Sequence, residues 1–172
     1  RGSWDKVVEC ILRRAGAESG AAAIDLYLRA AKTRIEQLRD RRGAASVYDS
    51  VLSIDPSNTT ALEFKGDFLF ENDSLEGAVE VYEAIDALEI ERDLDDFDEQ
   101  MAQSLYCFRF GEALRRLGRP EDAIQRYEQA LALNGSHLPT LEAVGPLYVA
   151  EQRFNDASAV FRQVLQLTGG QG

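Results

Sequence analysis

The side chains best equipped for chemistry are few and scattered. His137 is the only histidine. It follows Ser136 at a helix start, and with no second histidine it reads as part of an exposed N-terminal turn. Cys10 and Cys107 stand almost a hundred residues apart. A disulfide framework or a zinc site needs clustered spacings, so both are expected as buried small hydrophobes. Asp93, Asp95, Asp96 and Asp98 carry enough carboxylate to suggest calcium. A calcium loop of the EF-hand kind needs a glycine at its sixth position, because only glycine makes the sharp turn there. That glycine is missing, so the run reads as a solvated linker or a helix start. No Gly-rich phosphate loop, G-x-S-x-G or H-E-x-x-H stands in the chain. Carboxylate pairs recur over the whole acidic surface and so point to no particular acid–base site. No catalytic residue, metal or cofactor is expected, and the chain does not read as an enzyme.

Composition narrows the remaining classes. The 172 residues are 45% hydrophobic, enough to fill a core, and carry a formal charge of −11. Phosphate backbones require lysine and arginine, so nucleic acid is not an expected partner. No run of 18 apolar residues exists, so no membrane-inserted helix is expected. Only three of the nineteen basic residues are lysine (Lys6, Lys32, Lys65). That bias fits a GC-rich, bacterial genome and is not read as function.

The elements that would position any site repeat along the chain. Small residues recur at Ala44, Ala78, Ala123 and Ala157. Four residues on from each stands an aromatic: Tyr48, Tyr82, Tyr127 and Phe161. Three further on stands Val51, Ile85, Ala130 or Val164. Glycines precede three of the alanines by twelve residues, at Gly66, Gly111 and Gly145. In the first unit Ala31 stands for the glycine, with one extra residue before Ala44. A spacing of four puts each alanine and its aromatic on one helical face. The expected packing sets a small residue of one helix against a small residue of the next, with the aromatic filling the space beside them. One hairpin cannot bury that face alone, so neighbours must stack.

Breaks fall between the helices. Asp73-Ser74-Leu75-Glu76 reads as a capping box. Leu117-Gly118-Arg119-Pro120 reads as a helix stop followed by proline at a first helical position. Asp55-Pro56-Ser57-Asn58 ends one hairpin and caps the next. A single all-α domain is expected: a leading helix over 3–14, hairpins over 20–53, 58–88, 96–133 and 137–167, and a flexible tail at 168–172. Eleven extra residues, around Leu88 to Gln100, interrupt the repeat. Pro146 falls inside a helix, where it removes one backbone hydrogen bond.

The run from Gly111 to Asn134, GEALRRLGRPEDAIQRYEQALALN, resembles the tetratricopeptide repeat family. The segment from Ala44 to Pro56 is similar to the second half of such a repeat. The resemblance covers roughly 20–167. It implies an α-solenoid of antiparallel hairpins in a right-handed superhelix, with the first helices lining a concave groove for a partner's peptide or helix. The expected groove residues are Lys32 and Glu36, then Glu63, Asp67, Phe70 and Glu71. They continue with Phe108, Arg109, Glu112, Arg115 and Arg116, and end at Glu142 and Pro146. The groove is then acidic at the second hairpin and partly basic at the third, which suits a basic or amphipathic partner segment. The family's clamp for a C-terminal carboxylate needs asparagines that these positions lack.

The leading expectation is therefore a protein–protein interaction scaffold. A regulatory module fused to a catalytic domain, and a self-associating spacer with uncapped ends, remain open. The ends read as cut from a longer array. Trp4 is expected to pack the leading helix onto the first hairpin, with insertion into a partner as the alternative. The compartment is not legible.

Overall fold

The computed structural model describes residues 2–88 and 94–169. Among them are nine α-helices and no strand. They divide into two compact units, with the boundary between residues 90 and 91. The first unit holds α1 (Gly2–Ala15), α2 (Gly20–Thr33), α3 (Arg41–Ile54), α4 (Thr59–Glu71) and α5 (Leu75–Asp86). The second holds α6 (Phe97–Arg116), α7 (Pro120–Leu133), α8 (Leu138–Ala150) and α9 (Phe154–Leu167). Within each unit every helix packs on the next in sequence.

The repeated alanines do what their size allows. Ala44, Ala78, Ala123 and Ala157 are all buried. Each packing glycine faces the aromatic ring most closely, and at Gly111 the backbone of Ala123 also lies close, 3.3 Å from where a Cβ would stand. A Cβ at Gly66 would lie 2.6 Å from Tyr82 Cε1, and one at Gly111 would lie 2.8 Å from Tyr127 Cε1. One at Gly145 would lie 2.6 Å from Phe161 Cε1. The ring occupies the space a side chain would need, so the helix backbone is its seat.

Three hairpins turn in the same way. The residue between the helices takes a left-handed conformation: Asp73 (φ 62°), Gly118 (φ 74°) and Gln152 (φ 58°). The following N–H then donates to a carbonyl five residues back: Ser74 to Leu69 (2.9 Å), Arg119 to Leu114 (3.0 Å) and Arg153 to Tyr148 (2.8 Å). This closes the free carbonyls at the end of the first helix. The capping-box expectation fails here, because Ser74 makes no side-chain cap.

The first hairpin departs by one residue. After α2 the chain widens into a π-helical turn, Arg34–Leu38. Asp40 N–H then reaches six residues back, to Arg34 C=O at 3.0 Å. The extra residue between Ala31 and Ala44 is absorbed there, as a π-bulge absorbs an insertion without breaking the helix. The longer spacer before the third hairpin lengthens α6, which has 20 residues against 13 in α4 and α8. Asp96 caps α6, accepting from Glu99 N–H at 3.0 Å. Its neighbour Asp93 lies outside the described residues. Among the described residues no helix is long and apolar enough to cross a membrane.

Non-glycine residues in the left-handed region cost about 1 kcal/mol. Gln152→Gly is expected to raise unfolding stability by about 0.5–1 kcal/mol, and Gly118→Ala to lower it by about 1 kcal/mol. Urea denaturation of the two variants beside wild type checks both signs.

Candidate functional site

The residue after Gly66 and the residue after Gly111 each meet the tyrosine that fills the hairpin. Tyr82 donates its hydroxyl to Asp67 at 3.1 Å. Tyr127 donates in the same way to Glu112, through a very short hydrogen bond. Arg115 donates to both oxygens of Glu112, to Oε1, which Tyr127 also uses, at 3.0 Å and to Oε2 at 2.9 Å. Burial alone would raise the Glu112 carboxyl, but the hydrogen bonds from Arg115 and Tyr127 outweigh it and hold it below its ordinary value. Burial, together with the bond to Glu112, pushes the Tyr127 phenol upward. In the fourth hairpin both partners change together. Phe161 has no hydroxyl, and Pro146 stands where the acid would be.

The first hairpin keeps the tyrosine but not the acid. Lys32 follows Ala31, in the position of Asp67 and Glu112. Among the described residues the Tyr48 hydroxyl makes no hydrogen bond; its ring stacks on Phe64 with centroids 4.4 Å apart. Burial raises this phenol, and the charge of Arg41 opposes that rise. Beside it opens a cavity of about 370 Å³, lined by Leu28, Arg29, Lys32, Ile35, Glu36, Tyr48 and Thr60. Its floor is apolar and its rim is charged. Lys32 and Glu36, one helical turn apart, pair along one side of the rim at 3.9 Å, both well exposed.

Lys32 and Glu36 are thus brought together at a concave site. The other expected residues have varied fates. Glu71 pairs with Arg41 at 2.8 Å, and Arg41 also lies over the Phe64 ring. Asp67 and Glu112 hold tyrosines, so neither offers a bare carboxylate. Glu63, Phe70 and Arg109 are half-buried, whereas Arg115, Arg116, Glu142 and Pro146 are exposed. Phe108 packs within its own unit, edge-on to His137 (5.0 Å) and beside Tyr127 (6.2 Å). His137 does begin α8, but it is half-buried rather than exposed. Its Nδ1 pairs with Thr140 Oγ1 at 2.6 Å, and burial lowers its pKa. Cys107 is buried as expected, but Cys10 is exposed. Trp4 is 42% exposed rather than packed. Leu28, Arg29, Ile35, Tyr48 and Thr60 were not singled out as a site in the sequence. The signal available for them was the extra residue before Ala44 and the lysine in an acid's position.

Known proteins share the repeat and the fold. Profiles described as tetratricopeptide repeat match residues 36–91 and 104–137. The chain belongs to the tetratricopeptide repeat family. It is 26% identical over 166 residues to the TPR repeat-containing protein MJ1428 of Methanocaldococcus jannaschii. That stretch is 94% of this chain but 25% of the relative, so the chain spans about a quarter of that protein's length. Solved structures of MamA share the fold. A double mutant, MamA RS-1 ArsTM, superposes with a TM-score of 0.72 at 21% identity, covering 99% of this chain and 88% of that one. A crystal structure of MamA gives 0.70 at 15% identity, covering 98% and 90%. At these identities the likeness concerns the fold alone.

The tyrosine–acid bond is expected to stabilise the second unit's tetratricopeptide hairpin. Tyr127→Phe should lower unfolding stability by about 1–2 kcal/mol, with Glu112 only partly shielded from solvent. In a double-mutant cycle with Glu112→Gln the two losses should not add. Because the folded carboxyl titrates below its ordinary value, its contribution is full above a pH near 4.5 and fades as pH falls through the lowered value. Stability measured from pH 7 to 3 should therefore fall more steeply in wild type than in Glu112→Gln.

Proposed function

We propose that this chain is a protein-binding scaffold that receives a peptide or amphipathic helix of a partner on the first helices of its hairpins. The α2–α4 cavity serves as the anchor point in the first unit. The observation that carries the reading is that cavity: it is concave and apolar at its floor, with charge confined to the rim. Such a site suits one apolar side chain delivered on a polar segment. Glu63, Asp67, Phe70 and Glu71 on α4 extend the same unit's binding face. In the second unit Phe108, Arg109, Glu112, Arg115, Arg116 and Glu142 form the corresponding face. Tetratricopeptide modules generally act as interaction scaffolds, which agrees with this use.

Thr60 is exposed at the cavity rim, so Thr60→Trp should close the mouth without touching the core. Capture from the source lysate is expected to lose its specific partner with Thr60→Trp and to keep it with Gln125→Trp, an exposed site on α7. Partners retained equally by both variants would refute the anchor.

Self-association is the second reading, favoured by the exposed apolar face of α9. Phe154 is 62% exposed, Phe161 41% and Leu165 53%, around a concavity of about 520 Å³. Sedimentation equilibrium should then show mass rising with concentration for wild type and a fixed monomer mass for Phe154→Glu/Leu165→Glu. A wild-type monomer at all concentrations refutes it.

A further inference from the structure

The partner's chemistry at the α2–α4 cavity follows from how the other hairpins are completed. In the second and third hairpins the tyrosine hydroxyl donates to a carboxylate of the same hairpin, Asp67 or Glu112. In the first hairpin that carboxylate is replaced by Lys32, and the Tyr48 hydroxyl is left without a partner among the described residues. Arg29 and Lys32 both stand on the cavity rim, with only Glu36 opposing them. Glu71 of the same unit is engaged by Arg41 at 2.8 Å. The rim is therefore locally cationic in a chain of net charge −11. Three donors line it, beside the tyrosine to which the repeat elsewhere supplies an acid: the Tyr48 hydroxyl, the Lys32 ammonium, which also pairs with Glu36, and the Arg29 guanidinium.

We infer that the α2–α4 cavity recognises a partner segment carrying an aspartate or glutamate side chain beside an apolar residue. The carboxylate takes the place that Asp67 and Glu112 fill in their own hairpins. The apolar side chain enters against Leu28, Ile35 and the Tyr48 ring. A carboxylate there accepts charge-assisted hydrogen bonds, which are stronger than neutral ones. A basic residue at the same place meets Arg29 and Lys32 and is repelled, so the site discriminates by rejection as well as by attraction. The inference rests on the anchor reading above and adds the sign of the ligand's charge. It also reverses, for this hairpin, the basic partner segment expected from the acidic residues of the second.

The probes are three blocked dipeptides, N-acetyl-Leu-Glu-amide, N-acetyl-Leu-Gln-amide and N-acetyl-Leu-Lys-amide, titrated into the ¹⁵N-labelled full chain. The Glu form should shift the amides of Leu28, Lys32, Ile35, Tyr48 and Thr60, and bind at least about threefold more tightly than the Gln form, with the Lys form weakest. Arg29→Gln/Lys32→Gln should abolish that preference while leaving Leu-Gln binding unchanged, and Tyr48→Phe should reduce it. Both sets of substitutions keep the apolar floor, so folding is preserved and is checked by the unperturbed spectrum. Equal binding of the Glu and Gln forms at the cavity overturns the inference while leaving the anchor reading intact. Preference for the Lys form also overturns it, as does the absence of any shift at these residues. In the last case the anchor reading is judged separately by the Thr60→Trp capture.

Discussion

The ring of Tyr82 lies where a side chain on Gly66 would have to be, and Tyr127 and Phe161 stand in the same relation to Gly111 and Gly145. This contact sets how closely the two helices of a hairpin approach. A single added methyl must push a ring aside, and the Tyr82 and Tyr127 rings are fully buried, where packing leaves little room to yield. The buried alanines beside the rings follow from the same closeness, and so does the position of every residue on the first helix. The residue after the glycine is carried to the tyrosine hydroxyl, where an acid can accept from it. The site chemistry of these repeats is thus a consequence of a steric contact between backbone and ring.

That chain of dependence explains why one inserted residue matters so much in the first hairpin. The insertion is taken up by the π-helical turn after α2, and the helix pair remains closed through the longer bond from Asp40 to Arg34. The tyrosine is retained, but the acid is exchanged for Lys32. A polar seal that is internal in the next two hairpins is open to an outside group here. The fourth hairpin solves the same problem by removing both partners, with Phe161 and Pro146. A missing carboxylate has therefore been met in two ways, and only one of them leaves donors facing a cavity.

Much of the surface charge is already committed. Asp67 and Glu112 bind tyrosines, Glu71 binds Arg41, and Glu128 bridges Tyr148 (3.0 Å) and Arg153 (2.8 Å). Burial and that bond to Glu128 push the Tyr148 phenol up to about 12. An acidic groove counted from the sequence overstates the bare negative charge that a partner meets. The rim of the α2–α4 cavity differs from that background in the sign of its excess charge: Lys32 pairs with Glu36, and Arg29 is left over.

The sequence by itself determined the repeat family, the all-helical fold and the helix positions, since periodicity of 3.6, small residues, aromatics and turn signals all act locally. It also carried the extra residue before Ala44. What it could not determine was where that residue would go. An insertion can lengthen a loop, break a helix or widen a turn, and the choice depends on packing between α2 and α3. For the same reason the sequence set the small residues together with the ring beside them, whereas tertiary packing decided that the ring comes closest to the glycine. Trp4, Cys10 and His137 were misjudged because the burial of one side of a helix depends on which neighbour lies against it. Only the packed hairpins joined Leu28, Arg29, Ile35, Tyr48 and Thr60, from three helices and the π-helical turn, around one cavity.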